Sequence, residues 1–371
     1  MERRGGVASG QTGRGKRTVV TLEDVARAAE VHYSTVSRAL DAETAAQVSA
    51  ITRKRVQAVA TRMGYRKDMV ASGLKRGRTH TVAVVVGDLG NPNVAPLLRG
   101  ISDGLEPAGL MPLIVETQND PARLERILDH LLSRRVDAVI VTAARLGDGP
   151  KLRRIRRQGI PVVLAVQTVP GVRLPAFTHD DVLGGSLAAQ HLLTLGHRRV
   201  AQLRGPADIY SCLQRAHGFS QAIAAAGATE VVLRSTGPMG TAEEGGRLMR
   251  QLLDGKRALP TGIFAHHDLM AFGAIAAAEQ RGLTCPADFS MVGYNDLPNV
   301  ERMVPPLTSI RLPREELGRL TAEVIVKILS SAGRPPALRK LAPTLVVRQS
   351  TGPPPHRLAP TLIVRESTAP H

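Results

Sequence analysis

The spacing of apolar positions changes character once along the chain, near residue 80. Before that point they fall in three short stripes of helical period. Leu22, Val25, Ala26 and Ala29 share one face of a first helix, and Thr21 stands three residues before Asp24, the spacing of a capping box. After a short turn, Val36, Ala39 and Leu40 mark the inner face of a second helix over Ser34–Leu40. Ser49 can cap a third helix carrying Val56, Val59, Ala60 and Met63, and Gly64 sits where a C-terminal cap belongs. Helix, tight turn, helix and supporting helix make a helix-turn-helix arrangement. From residue 81 the text turns to nearly continuous apolar runs, as buried parallel strands require: Thr81–Gly87, Pro112–Val115, Ala138–Thr142 and Pro161–Val166, with helical stretches such as Ala122–Arg134 between them. A second series begins near Arg199 with RVAQL, VVL, GIFA and MVGY. Two alternating series predict a two-lobed α/β domain with two doubly wound parallel sheets, and a ligand cleft at the carboxyl ends of the strands.

Charge sharpens the contrast between the two parts. The chain of 371 residues has a net charge of +17, and residues 1–80 hold 16 Lys+Arg against 7 Asp+Glu. About half the excess therefore sits in the first fifth of the chain, where it attracts phosphate and speeds encounter with DNA. No apolar stretch reaches the 18 or so residues of a membrane span, and the N-terminal MERRGGVASGQTGRGKR lacks the apolar core of a secretory signal. Cys212 and Cys285 read as two buried reduced thiols, and no metal-ligand spacing accompanies them.

These features divide the chain into a disordered basic tail over 1–17, a helix-turn-helix domain over 18–66 and a hinge over 67–80. The first lobe then spans 81–178 with 307–336, and the second 179–306 with 337–351. A tail over 352–371 closes the chain. LAPTLVVRQST at Leu341–Thr351 returns as LAPTLIVREST at Leu358–Thr368. One copy suits the last strand of the second lobe.

The text from Thr21 to Asp41, TLEDVARAAEVHYSTVSRALD, resembles the DNA-binding signature of the LacI/GalR family of bacterial regulators. The resemblance continues through ITRKRVQAVATRMGYRKD, GNPN, VDAVIVT, FTHDD, LGHRRVA, RAHGF, FAHHDLMAFGAIAA, PADFSMVGYND and PPLTSIR, in order over roughly residues 18–351. It implies a periplasmic-binding-protein-like sensing domain behind the DNA reader. The helix from about Ser34 then enters the major groove, with Tyr33, Ser34 and Arg38 near base edges and Thr21, Thr35 and Ser37 on phosphates. The chemistry suits the task, because Arg can take guanine O6 and N7 with two parallel donors while phosphate contacts set register. Leu74 matches the family's minor-groove wedge. The resemblance also places effector contacts at Asn93, Val94, Thr142, Asp181, Arg215, His267 and Asn295.

Several positions depart from the family pattern. The turn reads Glu30-Val31-His32 in place of Gly-Val-Ser, so Glu30 meets a steric cost at a left-handed backbone, and a capping Ser is replaced by His32. Lys67-Asp68 replaces Pro-Asn before the hinge, and Gly73 weakens a helix there. Asn93-Val94 stand where relatives often carry two aromatics, and the whole chain has five Phe, four Tyr and no Trp, so ring stacking on a sugar is poorly supplied. His267, in place of Asn, can titrate near neutrality. The departures in the cleft point to an unusual, smaller or anionic effector.

The implied function is a sequence-specific transcriptional regulator, a repressor of sugar or other carbon-source genes. Its partners are a pseudo-palindromic double-stranded operator, a sugar or sugar derivative in the cleft, and a second copy of the chain in a cytoplasmic homodimer. No cofactor is implied. A degenerate pocket gated by a protein partner, or a soluble solute-binding protein, remain the alternatives. The His266-His267-Asp268 cluster invites an enzymatic reading, but no nucleophile or phosphate loop accompanies it.

Overall fold

A computed structural model describes residues 20–41, 44–65, 78–237, 240–255, 258–331 and 337–355. The chain forms two compact units, Met1–Gly77 and Arg78–His371. Leu74 and most of the hinge, residues 66–77, lie outside the described residues, as do the tails at 1–19 and 356–371 with the second copy of the C-terminal repeat.

In the first unit α1 (Leu22–Ala28), α2 (Tyr33–Ala39) and α3 (Ala50–Met63) enclose a small core. Val25, Val36 and Val56 are fully buried at its centre, each contributing about 1.5–3 kcal/mol by leaving water. The capping box at α1 is present on both sides, Thr21 to Asp24 and back. Gly64 ends α3 at φ 67°, the left-handed conformation a glycine takes without strain. Glu30 takes the same conformation at φ 52° and carries the expected cost. The expected loss of a cap at His32 is corrected: its ring caps α2 by accepting from the Ser34 N–H at 3.4 Å, and its Nδ1 lies 2.8 Å from Ser34 Oγ. An imidazole acceptor does the work of the missing hydroxyl.

The second unit holds two six-stranded sheets. The first runs β11 (Leu338–Leu341), β5 (Ala176–His179), β4 (Val162–Ala165), β3 (Ala138–Val141), β1 (Thr81–Val86), β2 (Met111–Glu116), all parallel. The second runs β12 (Thr344–Val346), β10 (Thr308–Arg311), β9 (Ser290–Asn295), β8 (Gly262–Ala265), β6 (Arg199–Arg204), β7 (Thr229–Arg234), with only β12 antiparallel. The central strand β1 is buried almost throughout, which explains its unbroken TVAVVV. Strand β2 lies at an edge, where Met111 and Ile114 remain exposed and Pro112 costs no ladder bond.

Helices α4 (Val94–Leu105), α5 (Pro121–Ser133), α6 (Gly149–Arg157) and α11 (Arg314–Leu329) belong with the first sheet. Helices α7 (Asp181–Thr194), α8 (Tyr210–Ala225), α9 (Ala242–Leu253) and α10 (Asp268–Glu279) belong with the second. The chain therefore crosses between lobes three times. The first crossing follows β5, near the expected boundary. The other two differ from the sequence reading. Strand β10 pairs with β9 and so belongs to the second lobe, and β11 pairs with β5 in the first. The short polar LRKL of β11 carries no apolar pattern to mark it as a strand. The first copy of the C-terminal repeat supplies β12, the last strand of the second sheet. Among the described residues no helix is long and apolar enough to cross a membrane.

Candidate functional site

Helix α2 divides cleanly. Val36 and Ala39 are buried, while Tyr33, Ser37 and Arg38 are exposed and Ser34 and Thr35 are half-buried. Helical spacing puts Tyr33 with Ser37, and Ser34 with Arg38, on neighbouring rows of one outward face. Tyr33 is tilted against the His32 ring at 4.7 Å between centroids. Thr21 lies outside α2, exposed at the start of α1, where its hydroxyl donates to Asp24 Oδ2 at 2.7 Å.

In the second unit, six of the seven expected effector contacts line one cavity between the lobes: Asn93, Val94, Thr142, Asp181, Arg215 and Asn295. The cavity measures about 110 Å³, near the size known to hold one benzene-sized ligand, about 150 Å³. Asn93, Val94, Thr142, Asp181 and Asn295 arrive from the carboxyl end of a strand or the start of a helix, where backbone direction converges on the cleft, and Arg215 reaches it from the second turn of α8.

Asp181 and Arg215 meet because α7 and α8 approach closely. A Cβ on Gly185 would lie 2.0 Å from the Arg215 carbonyl oxygen, and one on Gly218 would lie 1.9 Å from that of Val182. With glycine at both places, Arg215 Nη2 donates to Asp181 Oδ1 at 2.8 Å and the Tyr294 hydroxyl donates to the same oxygen at 2.9 Å. Arg215 Nη1 donates to the His266 carbonyl, and the guanidinium stacks 3.5 Å over the Tyr294 ring. The charge of Arg215 is thus fully used inside the protein. What this cluster presents to the cavity is Asp181, whose described hydrogen bonds all fall on Oδ1 and leave Oδ2 to accept.

His267 is the seventh residue, and it is corrected. It does not line the cavity. It lies buried behind Asn93, capping α10 by accepting the Leu269 N–H on Nδ1 at 3.2 Å, while its Nε2 sits 2.9 Å from the Asn93 amide. Burial, with Arg314 and Arg215 nearby, drives its pKa down to about 3, so it stays neutral at physiological pH. A neutral ring that accepts at Nδ1 carries its proton on Nε2. The structure sets Asn93 Nδ2 against that nitrogen, so the pair forms a hydrogen bond only with the amide turned over, its oxygen toward the ring proton and its NH2 group toward the cleft. His266 and Asp268 are likewise absorbed by the fold. His266 accepts from Gly205 N and meets Gln202 Oε1 at 2.9 Å. Asp268 accepts from the Ser309 hydroxyl at 2.6 Å and the Leu297 N–H at 2.8 Å.

Other bonds cross the cleft. Gln167 Nε2 donates to Ser211 Oγ at 2.9 Å, and Arg145 pairs with Asp208 at 2.5 Å. Among the lining residues that the sequence reading did not name, two carry unpartnered polar atoms. His179 ends β5 with a buried Nε2 that has no hydrogen-bond partner, and Arg314 begins α11 with a buried Nε in the same state. The one available signal was a cation in the first turn of a helix, where the macrodipole disfavours it. Asn295 is held at φ 114° and Asp296 at φ 52°, a strained strand end of the kind found where a binding site sets side-chain direction.

Two family models match the chain: bacterial regulatory proteins of the lacI family over residues 21–68, and a periplasmic binding protein-like domain over 189–351. The HTH-type transcriptional regulator DegA of Bacillus subtilis is 33% identical over 340 residues, covering 90% of this chain and 98% of the relative. The HTH-type transcriptional repressor CytR of Escherichia coli is 30% identical over 337 residues, covering 91% and 97%. The chain belongs to the LacI family. As a LacI-family member it is a DNA-binding transcriptional regulator, with relatives that are repressors. Solved structures agree. The lac repressor dimer bound to operator and the anti-inducer ONPF matches with a TM-score of 0.80 at 25% identity, covering 90% of this chain and 99% of that one. The regulator CelR in its cellobiose complex matches at 0.68 and 30% identity, covering 89% and 99%. The helix-turn-helix match sets aside the solute-binding alternative for this LacI-family chain.

Proposed function

We propose that the protein is a cytoplasmic dimeric repressor that reads a pseudo-palindromic operator through α2 and responds to a small polar effector held between its lobes. The observation that carries this reading is the outward face of α2, where Tyr33, Ser37 and Arg38 stand exposed over the buried Val36 and Ala39. Tyr33, Ser34 and Arg38 face base edges, with Arg38 the residue best suited to guanine. Thr21, Thr35 and Ser37 hold phosphates and set register. Leu74 as the minor-groove wedge rests on resemblance alone. A two-fold dimer reads two half-sites about one helical turn apart.

In the cleft, Asn93, Thr142, Asn295 and the free oxygen of Asp181 supply hydroxyl contacts, and Val94 supplies an apolar wall. Arg215 acts through Asp181 by fixing it. Among the described residues the lining has no Phe, Tyr or Trp, which favours a ligand held by hydrogen bonds over one held by stacking. The effector lies among the bonds that close the cleft, including Asn93 to His267 and Gln167 to Ser211. It shifts the balance of lobe arrangements only by the difference in its affinity for them.

The test is selection of bound duplexes from a random pool by the purified protein at fixed salt. The reading predicts enrichment of a two-fold symmetric sequence. A retained pool without sequence preference rejects it.

A further inference from the structure

Resting on the reading that the cleft holds a small effector, we infer that this effector is a polyhydroxylated monocarboxylate, a sugar acid, with its carboxylate on Arg314. The argument begins with charge. Three cations line the cavity: Arg145, Arg215 and Arg314. Arg145 is paired with Asp208, and Arg215 with Asp181. Arg314 has no carboxylate partner among the described residues. Its Nη2 donates to the neutral Asn295 Oδ1 at 2.5 Å, and its buried Nε donates to nothing. Asp88, the other carboxylate of the lining, is exposed at the mouth and accepts from Gly90 N at 2.8 Å. Asp268 is engaged by Ser309 and Leu297. Arg314 is therefore the one lining arginine with no carboxylate in ion-pair contact among the described residues, Asp181 and Asp268 acting on it only from a distance.

Position reinforces this. Arg314 opens α11, so the helix dipole adds to its field where it would favour an anion. Burial and the repulsion of Arg215 together bring its pKa down to about 10, still charged at neutral pH. A buried charge with an unpaired donor is costly, and a planar carboxylate accepts from guanidinium with well-matched geometry. His179 adds a second open position. Its Nε2 is buried and unpartnered at the same cavity, and burial with two nearby arginines holds the ring neutral. A neutral imidazole suits a ligand hydroxyl. One guanidinium without an ion pair and with an open donor suits a single carboxylate. A phosphate ester, at about −1.5 to −2 near neutral pH, would bring one charge too many into a site that also contains Asp181.

The experiment is thermal-shift titration of the full-length protein with matched pairs: aldonates of three to six carbons and hexuronates against their neutral polyols and hexoses, with glucose 6-phosphate alongside. Wild type, Arg314→Met and Arg314→Lys are compared. The inference predicts that at least one acid stabilises wild type and that its neutral counterpart binds roughly ten- to a hundredfold more weakly. Arg314→Met should abolish the difference, and Arg314→Lys should keep part of it. Equal binding of acid and neutral partner, binding unchanged in Arg314→Met, or preference for the phosphate would overturn the inference and leave the cleft as the effector site. Silence from every acid overturns it as well. Silence from the neutral sugars too would bring down the cleft reading with it.

Discussion

Helix α2 and the inter-lobe cleft are the two surfaces proposed for recognition, and they lie under opposite physical regimes. On α2 Tyr33, Ser37 and Arg38 face water, so in the proposed reading their desolvation waits for DNA and their identity hardly touches the fold. In the cleft the key groups are already desolvated. Arg215, Asp181 and Tyr294 are buried and mutually satisfied, and Asn93 is held from behind by His267. The lesson is that function on α2 can change by substitution without loss of stability, while function in the cleft is tied to it.

The sharpest contrast comes from Arg215→Ala. Removing one partner of a buried pair leaves Asp181 charged and uncompensated, which typically costs about 3–5 kcal/mol. Urea unfolding should show this loss, and a change below about 1 kcal/mol would show that water reaches the pair. A smaller effect concerns His267. Its pKa in the folded protein, about 3, lies below the ordinary histidine value, so below pH 6.5 the unfolded chain binds a proton that the folded one refuses. Its contribution is present at neutral pH and is lost as pH falls from about 6.5 toward 3. The slope is up to about 1.4 kcal/mol per pH unit. His267→Asn keeps a capping side chain and should remove that share of the acid sensitivity. Parallel stability curves for wild type and variant between pH 7 and 5 would refute the buried neutral assignment.

Legibility followed the same divide. The three helices of the first unit, the Thr21 cap, the Gly64 stop and the strain at Glu30 were readable because each depends on local spacing or local backbone. The buried strands β1, β3 and β8 announced themselves by apolar runs. Strands β10 and β11 were placed in the wrong lobes because their assignment depends on which distant strand they pair with. In the cleft, six residues were located through resemblance, yet their roles were not. That Arg215 is spent on Asp181 and the His266 carbonyl, and that His267 lies behind Asn93, are facts of three-dimensional partnership. His179 and Arg314 gave no pattern beyond a cation at a helix start, since an unpartnered atom is visible only once every neighbour has been placed.

The central claim, that the exposed face of α2 reads sequence, is tested most directly by fluorescence anisotropy on the selected duplex and on a scrambled duplex of equal length at one salt concentration. Wild type and Arg38→Ala are compared. The account predicts that Arg38→Ala loses about 1–3 kcal/mol on the selected duplex, little on the scrambled one, and nothing in unfolding stability. Equal losses on both duplexes would make Arg38 a phosphate contact and contradict the account.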